Sequence, residues 1–211
     1  MENVKQTKGV LQEKLVLASK SQRRVDILNA VGWPCESIPA NIDETRRPDE
    51  DAVSYVKRLA QEKAKTVAQG IPSGLIVAAD TIVLVDEEIL GQPRDENDAR
   101  RMLKLLSDKW HDVLTGVALI RRAPDAGRNE LFVEYEITRV RFAEISNEEI
   151  DWYIATGEPM GKAGAYGIQG RAALFIEEIQ GDYFNIVGLP IRLVYELLSR
   201  SQDTGNRRQE I

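Results

Sequence analysis

The sequence predicts a mixed α/β (α+β) domain divided into two lobes, on three observations. Short apolar strands alternate with amphipathic helices through the first half. Two long strand patterns, 112–122 and 130–143, then follow around a turn-rich APDAGRN. The length, 211 residues, falls between one large domain and two modest ones, and no internal repeat breaks it up.

Taken in order, KLVLAS (14–19) is a short apolar strand. Ser21 is placed to cap a helix in which Val25, Leu28 and Val31 repeat at helical spacing. Residues 49–69 carry the clearest helical stripe, Ala52, Val53, Val56, Leu59, Ala60, Ala64 and Val67, ended by GIPSG. LIVAADTIVLVD (75–86) is apolar almost throughout, which suits a strand covered on both faces. A helix is expected over about 95–107, and Ser146 with Glu149 forms a capping-box pattern for another reaching Ala155. A glycine-rich segment (157–170), a strand at 173–179 and an amphipathic helix at 188–200 complete a folded region over 13–200. Residues 1–12 and 201–211 are polar, lack periodicity and are expected to be mobile.

A net charge of −6 and 6% aromatic residues argue against a nucleic-acid polymer as partner. One cysteine, Cys35, allows no internal disulfide and suits a reducing compartment. No apolar run reaches membrane-spanning length, and the N-terminus lacks a secretory pattern, so a cytoplasmic location is expected.

Three features stand out chemically. Arg23 and Arg24 fall in the first turn of a helix, an end that prefers negative charge. A strand, a polar loop and a helix start carrying two guanidinium groups suit a phosphate, although two solvated surface arginines would give the same pattern. Asp80 interrupts an apolar strand, where a carboxylate needs a partner or a metal, and Asp80-Thr81 offers hard oxygens. A satisfied structural aspartate is the plainer alternative. Asp43-Glu44 could add a second carboxylate. In GEPMGKAGAYGIQG, glycines permit close backbone approach and Lys162 could neutralise phosphate, but the spacing is not that of a P-loop. With one histidine, His111, neither Cys–His catalysis nor a thiolate–imidazole zinc site is well supplied.

The blocks LASKSQRR, EKAK, VAADTIVLVDEEILGQP, HDVLTGVAL and GEPMGKAGAYGIQGRAALFIEEIQGDYFNIVGLP together resemble the Maf family of nucleoside triphosphate pyrophosphatases, in the same order over about 14–200. The resemblance implies a Maf/inosine-triphosphatase-like fold with a deep nucleotide-binding cleft between two lobes, a frequent homodimer, and dependence on Mg²⁺ or Mn²⁺. It implies cleavage between the α and β phosphates. Position by position, it assigns Ser19 and Arg24 to a phosphate-binding loop, Lys63 to the cleft, Glu44 and Asp80 to metal binding, and Asp80 to catalysis. Arg23, Thr81 and Gln169 resemble the triplet marking the dTTP/UTP-hydrolysing subgroup. The amide of Gln169 could pair with O4 and N3–H of uracil or thymine.

The chain departs from the family pattern in three places. SPRR is SQRR, an acid is lost at Gly161, and LGKP is LGQP, with Gln92 in place of a lysine. Arg94 is the expected substitute for that missing charge. The rival function is a non-catalytic nucleotide-binding regulator of cell division; a single-stranded nucleic-acid-binding module is disfavoured by charge.

Overall fold

The computed structural model describes residues 13–123 and 129–206. The expected mobile segment 1–12, most of the APDAGRN turn and residues 207–211 lie outside the described residues. One seven-stranded sheet has the order β2-β1-β3-β5-β6-β7, with β4 attached to β3 beside this path. Its strands are β1 (Leu15–Leu17), β2 (Glu36–Ser37), β3 (Gly74–Val85), β4 (Glu88–Leu90), β5 (Trp110–Arg122), β6 (Glu130–Phe142) and β7 (Ile176–Gln180). β1 runs parallel to β2 and β3; every other pairing is antiparallel. The mixed α/β expectation therefore holds. The short strands β2 and β4 were not expected, because two or three residues leave no periodicity to read.

The helices are α1 (Gln22–Ala30), α2 (Ala52–Ala68), α3 (Glu96–Leu106), α4 (Asn147–Ala155), α5 (Tyr183–Val187) and α6 (Ile191–Asn206). The side chains of Asp51 and Asp95 cap α2 and α3, and Ser146 with Glu149 closes a capping box on α4. Ser21 is the N-cap of α1, yet its side chain makes no capping bond. The helix expected over 188–200 is α6, which starts at Ile191 and continues past 200 to Asn206; the five-residue α5 before it, with Gly188 as its C-cap, was not expected.

Strand alternation sends successive β3 side chains to opposite faces. Ile76 and Ala78 pack with Ala60 and Ala64 of α2, and Ile82 packs with Val56 of the same helix. On the other face, Leu75, Val77 and Ala79 join Leu28 of α1 and Leu197 of α6, whereas Val83 and Val85 join a separate cluster with Leu103 of α3 and Tyr153 of α4. Two lobes thus share the long strands, and Asp80-Thr81 falls at their junction. The edge of β3 is also open there: β1 pairs only through Val77, and β4 joins only from Val83.

Candidate active site

Asp80 points to the α2 face, where Lys63 Nζ lies 2.5 Å from its Oδ1 and 2.8 Å from Glu44 Oε1. Asp80 is 8% exposed, so this ammonium is what makes the carboxylate tolerable in the strand. Tyr55, about two turns before Lys63 on α2, donates its hydroxyl to the Glu44 backbone carbonyl at 2.7 Å. Burial, then the charges of Asp80 and Glu44, hold the Tyr55 phenol protonated by raising its pKa.

Across β3, Arg24 reaches the open strand edge. It donates to Ser19 Oγ (3.2 Å), Ala79 O (2.8 Å), Thr81 Oγ1 (3.1 Å) and Gly188 O (2.7 Å). Burial lowers its pKa, and Asp80 and Glu44 work against that. Ser19 Oγ also accepts from the Ser21 N–H at 3.1 Å, so the loop before α1 is held by the same hub. The sequence expectation set both arginines against an anion. In the structure Arg24 is committed to protein acceptors, whereas Arg23 has no hydrogen bond or ion pair among the described residues. α1 begins with no acidic residue in its first turn.

Arg23 shares its surroundings with Lys162: burial first, then the charge of Arg23, lowers the lysine pKa. Lys162 Nζ donates to the Glu158 carbonyl. The glycine-rich segment closes on the β3 face of Thr81. A Cβ at Gly164, whose φ is +66°, would come 2.8 Å from a Val83 methyl. The Gly164 N–H donates to Gly91 O at 3.1 Å, which sets Gln92 beside this segment. Gln169 is exposed and has no hydrogen bond to Arg23, Arg24 or Thr81. Arg94, the expected stand-in for the missing lysine, is turned toward the start of α3: its Nε donates to Asp98 Oδ2 at 3.2 Å, and its side chain is 84% exposed.

Asp80, Thr81, Ser19, Arg24, Lys63 and Glu44 thus form one connected site, with Arg23 and Lys162 on its flank. A cation held by two converging carboxylates, with the guanidinium of Arg23, unpaired among the described residues, and the ammonium of Lys162 on the flank, suits a polyphosphate together with a metal. A family model described as Maf-like protein matches residues 14–201. The chain belongs to the Maf-like family. This Maf-like protein is 48% identical over 188 residues to a dTTP/UTP pyrophosphatase of Symbiobacterium thermophilum, covering 89% of this chain and 94% of that one. It is 50% identical over 184 residues to a dTTP/UTP pyrophosphatase of Syntrophomonas wolfei, covering 87% and 95%. A dTTP/UTP pyrophosphatase of Bacillus cytotoxicus is 46% identical over 186 residues.

Reading the sequence alone misses Tyr55, Thr115, Asn185 and Gly188. Thr115 did leave a signal, a single hydroxyl inside the apolar run VLTGVAL. Gly188 left none, since its role is a carbonyl offered to Arg24.

Proposed function

We propose that this Maf-like protein is a nucleoside triphosphate pyrophosphatase that hydrolyses dTTP and UTP to the monophosphate and diphosphate. The observation that carries the reading is the Lys63 ammonium seated between Asp80 and Glu44, with Arg24 in the field of both carboxylates and Arg23 in turn close to Arg24 and Lys162. The names of the relatives supply the substrate class.

The donor set fits Mg²⁺ or Mn²⁺. Among the described residues no group of three or more His, Cys, Asp or Glu could hold a metal. Two carboxylates with substrate phosphates are what Mg²⁺ commonly uses, and the position already takes positive charge from Lys63. Asp80 and Glu44 would hold the ion, which when bound polarises the α-phosphate and eases deprotonation of water. The Asp80 carboxylate accepts the proton of the attacking water. The water oxygen bonds to the α-phosphorus as the bond to the bridging oxygen breaks. Arg23, Lys63 and Lys162 stabilise the negative charge that develops as pyrophosphate leaves. Arg24 holds Ser19 and Thr81 in place around them.

We also propose a cytoplasmic homodimer. On the α2 side of the sheet β6 exposes Leu131, Tyr135 and Ile137, apolar area that suits a second copy. No helix among the described residues is long and apolar enough to cross a membrane.

Pyrophosphate release across dTTP, UTP, CTP, ATP, GTP and 7-methyl-GTP with Mg²⁺ tests the assignment. The expected result is the highest kcat/KM for dTTP and UTP. Tight binding without turnover would instead make the protein a regulator, and 7-methyl-GTP as best substrate would overturn the subgroup.

A further inference from the structure

Thr81 on β3 stands directly opposite Thr115 on β5. Their hydroxyl oxygens are 2.9 Å apart. Thr115 has no exposed surface, and its Oγ1 lies 3.1 Å from the Asn185 carbonyl oxygen in α5. That carbonyl also accepts the Gly188 N–H at 3.0 Å. Asn185 is itself locked, donating through Nδ2 to Val113 O (2.9 Å) and Thr138 Oγ1 (3.0 Å).

The protons along this chain can be assigned from donor and acceptor rules. Arginine only donates, so Thr81 accepts from Arg24. A carbonyl only accepts, so the Thr115 proton lies toward Asn185; otherwise two oxygens would face each other at 3.1 Å with nothing between them. Thr115 has one proton. The bond between the hydroxyls must therefore take its proton from Thr81.

We infer that Thr115, seated on the Asn185 carbonyl, is a positioning residue that turns the hydroxyl of the half-buried Thr81 into an acceptor-only group toward any ligand that reaches the open edge of β3. Its remaining lone pair requires a donor from the ligand. Resting on the dTTP/UTP reading above, that donor is the N3–H of uracil or thymine. Cytosine carries a lone pair at the same atom and meets repulsion. Thr115 thereby selects imide pyrimidines without touching them.

The test compares kcat/KM for UTP and CTP in the wild type, Thr115→Val and Thr115→Ser, with folding followed by circular dichroism. Valine keeps the shape but removes the acceptor, so the Thr81 proton turns outward and serves cytosine N3. The UTP:CTP ratio should fall about 10-fold, the scale of one hydrogen bond, and Thr115→Ser should hold the wild-type ratio. Thr115→Ala provides the same comparison if the valine variant does not fold. An unchanged ratio in a folded variant lacking the hydroxyl overturns the inference, as does a serine variant that falls as far as valine. A wild type that turns over neither nucleotide overturns the functional reading beneath it, a result distinct from an unchanged ratio.

Discussion

Lys63 and Asp80, on a helix and a strand, meet at 2.5 Å across the α2–β3 interface, and Glu44 meets the same ammonium at 2.8 Å. One cation therefore ties together a helix, the central strand and the loop before α2. The two carboxylates are held ready for positive charge at the point where the lobes join.

Asp80→Asn preserves shape and removes that charge. Turnover of dTTP should fall by roughly 10²-fold or more while the protein stays folded. Near-normal kcat in a folded variant would leave the mechanism without its central group.

Lys63→Met removes the shared cation and leaves Asp80 and Glu44 to repel one another. Turnover of dTTP should fall about 10²-fold in kcat while the protein stays folded. Near-normal kcat in a folded variant would show that the shared ammonium takes no part in catalysis.

At LGQP, Gln92→Lys should restore a charge-assisted contact with the polyphosphate and raise kcat/KM for dTTP by roughly 3- to 30-fold. Arg94→Ala should change activity by less than about 2-fold, because the guanidinium is spent on Asp98. If Arg94→Ala instead abolishes activity, the exposed rotamer is not the working one.

His111 is buried, with Nε2 2.9 Å from the Tyr166 hydroxyl and no partner at Nδ1 among the described residues. Burial lowers its pKa from 6.5 to about 4. Between those values the unfolded chain takes up a proton that the folded chain refuses, so stability falls as pH drops from about 6.5 toward 4, by up to about 3 kcal/mol. Chemical denaturation of the wild type and His111→Phe at pH 7.5 and 4.5 measures it. The wild type should lose more, and equal losses would assign the acid sensitivity to carboxylates alone.

Gly188 has a φ of +114°, and a Cβ there would lie 3.4 Å from Thr81 Oγ1 and 3.5 Å from Arg24 Nε. Gly188→Ala should cost roughly 1–3 kcal/mol in strain and lower kcat/KM by moving the carbonyl that holds Arg24. Thermal melting and steady-state kinetics on the same sample separate the two effects. A variant with wild-type melting and kinetics would show that the turn relaxes without disturbing the hub.

By itself the sequence determined the kinds and the order of the longer elements. Side-chain periodicity and capping are local, so α2, β3, the capping box on α4 and the long β5–β6 pair were legible within a few residues. It also singled out Asp80, since a carboxylate inside an apolar strand is anomalous wherever that strand packs. What only the tertiary structure decided are the partners. Lys63 is 17 residues from Asp80, Thr81 is 34 from Thr115, and Arg24 is 164 from Gly188. No local pattern reports such distances, because they arise when sheet register and lobe packing bring separate elements together. The same register made Arg24 a structural hub and left Arg23 without a hydrogen bond or ion pair among the described residues, a division that two adjacent arginines in a sequence cannot express.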